Sequence, residues 1–266
     1  MRSFACLGGL STVLQTSSVI NPTVTVFQGM PILLSVIGIS LVSGLIWSWP
    51  QPITQDYSAP KTKISIVKGD MLAETTHLVI GTNDCFDTET PIILSKESLQ
   101  GQALRVLYGG DLKELDAQLV SALASKPTVG TVAKAGKQTQ YGVGTIATVK
   151  HASRLIFFLA YCEMDAHNTA HSTPDKVWKS LLLLWDEVSK KSNGGTVSIP
   201  VIGGGQARLS SIVPAQDAIR FTLLSFMFAS RGAKVCDELR IVVRPEDYKK
   251  LDRLELQSFL SSLRSS

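Results

Sequence analysis

A chain of 266 residues, 44% hydrophobic and 18% charged, has room for a mid-sized domain plus an appendage, and 26 basic against 22 acidic residues leave a net charge of +4. A balance that close excludes the electrostatic footprint of a nucleic-acid binder. Cys6, Cys85, Cys162 and Cys236 are widely separated with no C-x-x-C pair, which argues against a zinc site and a disulfide framework and agrees with a cytoplasmic main domain.

The charges are unevenly spread: between Arg2 and Asp56 there is no Asp, Glu, Lys or Arg. Residues 30–49 are nearly all apolar or small and end in Trp47 and Trp49, where interfacial aromatics belong. At a rise of about 1.5 Å per residue such a helix crosses a hydrocarbon core of about 30 Å. Residues 4–20 are apolar but shorter and carry Ser11, Thr12, Gln15, Thr16, Ser17 and Ser18. They suit either a first span or an interfacial segment, and a two-helix hairpin turning at Asn21-Pro22 is the preferred reading. Arg2 on one flank and Lys61, Lys63 and Lys68 on the other place both ends in the cytoplasm, with the chain in the inner (cell) membrane. A cleaved signal peptide fits poorly, since only one basic residue precedes an overlong apolar region without a clear cleavage site.

Pro50, Pro52 and Pro60, with polar residues between them, predict a linker over 51–60 and a folded domain over 61–266. Strands are predicted at 63–67 and 77–82, and the second is followed by the polar loop 83–88. A helix over 98–107 tolerates Gly101, and another opens at Asp111, with Leu112, Leu115, Leu119 and Leu123 as its buried stripe. Strand-like runs follow at 129–133, 144–149 and 154–160. Thr173-Pro174-Asp175 starts a helix that Asn193-Gly194-Gly195 stops, and further strands at 196–202 and 239–243 flank a helix over 211–231. Pro245 opens a last amphipathic helix. Strands alternating with helices predict an α/β domain with a mostly parallel sheet covered on both faces.

The strand at 196–202 runs directly into Gly203-Gly204-Gly205-Gln206-Ala207-Arg208. Such a loop lets backbone N–H groups approach an anion at the carboxyl end of a strand, and Arg208 is placed to pair with a phosphate; the glycines suit a plain tight turn equally well. Asp70 after its strand suits either an ordinary Gly-Asp turn or an acceptor for a nucleobase amine. Asn83, Asp84 and Asp87 converge on the same end of the sheet if their strand neighbours the glycine run. His167 and His171 have metal-pair spacing, but their polar surroundings and the missing acidic ligand favour a solvated loop. Cys162 ends an apolar strand and reads as core rather than as half of a thiol pair with His151. No P-loop lysine, G-x-S-x-G or Ser/His/Asp order is present.

Taken in order, these pieces resemble a macro domain, the three-layer α/β/α fold with a mixed, mostly parallel sheet that binds ADP-ribose. The Val67-Lys68-Gly69-Asp70-Met71 turn is similar to the family's Gly-Asp-Ile/Leu turn, and the resemblance gives Asp70 the adenine contact, with Met71 beside it. Val79-Ile80-Gly81-Thr82-Asn83 stands where the family has Val-Asn-Ala-Ala-Asn, which implies Asn83 near the distal ribose. Pro200 to Gly205 corresponds to the diphosphate loop. The glycine-rich loop of hydrolytic members is replaced by Asp84-Cys85-Phe86-Asp87-Thr88-Glu89-Thr90-Pro91, so a ligand-binding protein without catalytic residues is expected, although hydrolysis using Asn83 and Asp87, or a constitutive scaffold, stays open. The pattern Asn83-x-x-Phe86-Asp87-Thr88 followed by Ser98-Leu99-Gln100-Gly101 is similar to macro-like domains of bacterial defence effectors. With the membrane hairpin it looks like the transmembrane-macro effectors of type II Thoeris antiphage systems. That resemblance implies a ligand, histidine-ADP-ribose, made from NAD by a TIR-domain partner, no cofactor, and ligand-induced homo-oligomerisation that disrupts membrane lipid and kills the infected cell. It implies a binding set of Asp70, Met71, Asn83, Phe86, Asp87 and Thr88, with Ser98 and Gly101, and Gly203, Gly204, Gly205, Gln206, Ala207 and Arg208.

Overall fold

A computed structural model describes residues 52–203 and 214–264, together with Gly38. The chain divides into two units, Met1–Gln51 and Pro52–Ser266, and the strands and helices with described bounds belong to the second. The spans expected at 4–20 and 30–49 lie outside the described residues, Gly38 apart. Among the described residues no helix is long and apolar enough to cross a membrane.

In chain order the elements are β1 (Ile53–Ser58), β2 (Lys61–Lys68), a 3-10 turn (Met71–Ala73), β3 (His77–Asn83), α1 (Leu99–Leu107), α2 (Leu112–Leu123), β4 (Gly130–Thr131), β5 (Thr139–Gln140) and β6 (Ile146–His151). They continue with β7 (Arg154–Met164), β8 (Ala170–His171), α3 (Pro174–Lys191), β9 (Val197–Pro200), α4 (Ala215–Gly232), β10 (Glu238–Val243), α5 (Pro245–Tyr248) and α6 (Arg253–Ser262). The main sheet runs β1-β2-β10-β9-β3-β7-β6. From β2 to β7 neighbouring strands are parallel, and the outer β1 and β6 are antiparallel to β2 and β7.

Parallel strands flanked on both faces must be apolar throughout, and β7, with Phe157, Phe158 and Leu159 fully buried, shows it. One face packs against α3, α4 and α6, with Trp185 at the centre; its ring meets Phe226 edge-on at 5.3 Å, and its indole N–H donates to Ser225 Oγ at 2.9 Å. The other face packs against α1, α2 and the 3-10 turn. Asp111 caps α2 by accepting from the Lys113 and Glu114 amides at 3.0 Å each. The result is a three-layer α/β/α unit with a mixed sheet.

Three expectations are corrected. Residues 53–58 form strand β1 rather than a linker: Ile53, Gln55 and Tyr57 alternate inward while Pro52 and Pro60 stand outside the strand, where the absence of an N–H costs nothing to the ladder. α6 covers this strand, with Gln257 bonded to both the N–H and the carbonyl of Thr54 and Tyr57 donating to the Leu260 carbonyl at 2.7 Å. The run 129–133 contributes only the two-residue β4, paired with β5 apart from the main sheet. The last helix is split into α5 and α6, and Asp252 caps the second piece by accepting from the Glu255 amide at 2.9 Å.

If residues 53–58 belong to the fold, Tyr57→Ala should lower stability by about 3 kcal/mol, the scale for truncating a buried aromatic side chain. Urea unfolding measures this directly; a linker residue would leave the midpoint unchanged.

Candidate functional site

The carboxyl ends of β2, β3, β9 and β10 open on one side of the sheet, the place where open α/β sheets hold their ligands. Two cavities lie there, of about 380 and 470 Å³. They share Leu99, Pro200, Val201 and Arg244 as lining residues, so they form two lobes of one crevice.

The larger lobe lies beyond β2. Asp70 follows it and caps the 3-10 turn, Oδ1 accepting from the Leu72 amide at 3.0 Å, while Oδ2 makes no hydrogen bond among the described residues. Asp70 and Met71 line this lobe, along with Glu246, Asp247 and Lys250 from the α5 region.

The smaller lobe lies beyond β3. The pairing of β3 with β7 shifts register between Thr82 and Asn83, and both residues are buried and line the lobe. Asn83 Oδ1 accepts from the amides of Cys85 at 2.9 Å and Asp87 at 3.4 Å, which fixes the side-chain orientation. Its Nδ2 and the Thr82 hydroxyl have no partner among the described residues, an arrangement costly for buried donors unless something else enters the cavity to meet them. Gly81 is required by its neighbour across the strands: a Cβ there would lie 2.6 Å from Tyr161 Cε1. Tyr161 and Cys162 also line this lobe, and burial pushes the Cys162 thiol up to about 12, so it stays protonated and weakly nucleophilic.

Phe86, Asp87 and Thr88 do not line the crevice; their groups are engaged inside the fold. Phe86, at φ 54°, is fully buried with its ring edge-on to Tyr141. The Asp87 carboxylate takes both oxygens to Lys134 Nζ, at 2.9 and 2.8 Å, and accepts the Lys137 amide at 3.0 Å. Thr88 donates to Asp116 at 2.6 Å, and Lys137 Nζ joins Asp116 to the Phe86 carbonyl. The neighbouring Asp84 is buried as well; loss of hydration holds its carboxyl above the usual range even as Met164 N–H and Gln140 Nε2 donate to it.

Ser98 caps α1, its Oγ accepting from Gly101 N at 3.1 Å, and lines the smaller lobe. Gly101 does not line it: a Cβ there would lie 2.5 Å from the Ser95 carbonyl, so this glycine lets α1 pack against the preceding loop. Gly203, at φ 95°, lines the smaller lobe. Gly204, Gly205, Gln206, Ala207 and Arg208 lie outside the described residues. His171 pairs with Asp165 at 3.0 Å on the surface, and among the described residues no cluster suited to a metal ion occurs. Sequence reasoning passed over Arg244, which immediately follows β10 and borders both lobes; the rule that ligands lie beyond strand carboxyl ends was the signal that singles it out.

The chain matches the family model described as Thoeris protein ThsA, Macro domain, over residues 64–244, more than half its length. No curated protein matches it significantly. Among solved structures, an asparagine-to-alanine mutant of the Oceanobacillus iheyensis macrodomain is similar at TM-score 0.54 and 16% identity, over 81% of this chain and 97% of that one. The same macrodomain with ADP gives TM-score 0.53 at 15% identity, over 80% and 99% of the two chains. A glycine-to-valine mutant of it with ADPR gives 0.53 at 15%, over 79% and 99%. These likenesses establish the macro-domain fold, and the family match goes further: the chain belongs to the Thoeris ThsA macro-domain family.

Proposed function

We propose that the crevice binds an ADP-ribose derivative and that the protein is the ligand-sensing effector of a Thoeris antiphage defence system. The observation that carries the reading is the pair at the end of β3, Thr82 Oγ1 and Asn83 Nδ2, buried in the smaller lobe with no hydrogen-bond partner among the described residues. A terminal sugar supplies hydroxyls to meet both. Asp70 at the other end, with one carboxylate oxygen that makes no hydrogen bond among the described residues, suits the exocyclic amine of adenine. The solved macrodomains with ADP and ADPR lend the same ligand class to this reading. The finer picture follows the resemblance: a type II arrangement in which a TIR-domain partner makes histidine-ADP-ribose, and binding drives self-association of a chain anchored in the cell membrane by its first 50 or so residues. Disruption of membrane lipid then kills the infected cell.

Calorimetric titration of the full-length chain tests it. ADP-ribose should bind, its histidine adduct more tightly, and light scattering should report growth in particle mass with the adduct. Thr82→Val, which removes one hydroxyl at constant shape, should weaken ADP-ribose by about tenfold, the scale of one hydrogen bond, and leave ADP unaffected. Absence of binding by the wild type overturns the reading.

Hydrolysis is the competing reading and would need a base beside the terminal sugar. Asp87, the residue suited to that role by its place in the sequence, is held by Lys134 with both side chains almost fully buried. We therefore read Asp87 as a structural residue. Lys134→Met should destabilise the fold by about 3 to 5 kcal/mol, since it strands a buried carboxylate, and thermal unfolding measures it. The wild type should release no product from ADP-ribosylated substrate; turnover lost in Asp87→Asn with the fold intact would restore the hydrolase.

A further inference from the structure

We infer that Arg244 holds the diphosphate of the ligand and is the charge that joins the two lobes; this rests on the ADP-ribose reading above. Arg244 is the residue directly after β10, so its Cα is fixed by the central parallel strands while its side chain is exposed. It borders both lobes, and among the described residues its guanidinium makes neither an ion pair nor a hydrogen bond. A permanently charged planar donor left without a carboxylate partner at the meeting point of two cavities is suited to an anion with several oxygens.

The charges around it narrow where that anion can sit. The larger lobe carries three carboxylates, Asp70, Glu246 and Asp247, against one lysine, Lys250, which is itself paired with Asp247 at 3.0 Å. That end repels phosphate and favours groups that donate hydrogen bonds. The smaller lobe offers the neutral donors Asn83 Nδ2 and Thr82 Oγ1 and, at its rim, the carboxylate of Glu97. Neither lobe has a free cation of its own among the described residues, whereas their junction has Arg244. A ligand with a base at one end, a sugar at the other and a diphosphate between them matches this order of charges.

Three proteins decide it: full-length wild type, Arg244→Gln and Arg244→Lys, each titrated with ADP-ribose and with ADP at low and high salt, with melting temperatures as the control for folding. Arg244→Gln should weaken both ligands by about 10- to 100-fold at low salt, the range for a hydrogen bond to a charged group, with a flatter salt dependence than wild type. Arg244→Lys should recover much of the loss. If wild type binds and Arg244→Gln binds equally well, or if Gln and Lys lose the same amount, the assignment of Arg244 is overturned while the ADP-ribose reading stands. If wild type binds neither ligand, both fall together.

Discussion

The geometry of this site depends on a buried ion pair that never touches the crevice. Asp87 and Lys134 meet at 2.8 Å with both side chains almost fully buried, and a charge so placed is tolerable only when its partner and further hydrogen bonds are fixed. The Lys137 amide and the Ala135 carbonyl supply those further bonds. Together they pin the loop after β3, and that loop presents the Cys85 and Asp87 amides to Asn83 Oδ1. The amide of Asn83 is oriented by backbone that an ion pair holds in place. Its Nδ2 remains for a ligand because its oxygen is already committed.

A ligand-ready donor needs rigid surroundings, since a mobile asparagine would turn to satisfy itself within the protein. Asp84 adds to that rigidity from the opposite side, tying the end of β3 to Met164 on β7 and to Gln140 on β5. One buried carboxyl is thus held in an ion pair and the other, three residues earlier, within a hydrogen-bond network, and neither lines the crevice.

Much of the fold was legible because parallel strands buried on both faces must be largely apolar runs, and β3, β7, β9 and β10 are such runs separated by helices. β1 was hidden by its flanking prolines and by Gln55, a polar residue on the inward face where period-2 alternation predicts an apolar one. The role of Asp87 was hidden for another reason. Its partner lies 47 residues along the chain, in a stretch whose local pattern gives no sign that it folds over the β3 loop. From the sequence, Phe86, Asp87 and Thr88 are polar-loop neighbours of Asn83; in the fold the backbone turns at Phe86 through a positive φ and carries them into the interior. Arg244 was legible in principle, one residue past a predicted strand, but the glycine run at 203–205 drew attention to Arg208 instead.

The antiparallel course of β1 has a topological effect that its reading as a linker concealed. Because Ile53 pairs with Ile66, the chain enters the folded unit at the same end of the sheet at which β2 delivers Asp70 to the crevice. The segment after β10 then touches both places: Pro245, Glu246 and Asp247 line the larger lobe, and ten residues beyond Asp247 the amide of Gln257 brackets the backbone of Thr54. A flexible tether would have separated the crevice from the point of chain entry. A strand bonded along its whole length to β2, and covered by the helix that continues from the crevice wall, joins them by hydrogen bonds and packed side chains within one rigid edge of the sheet.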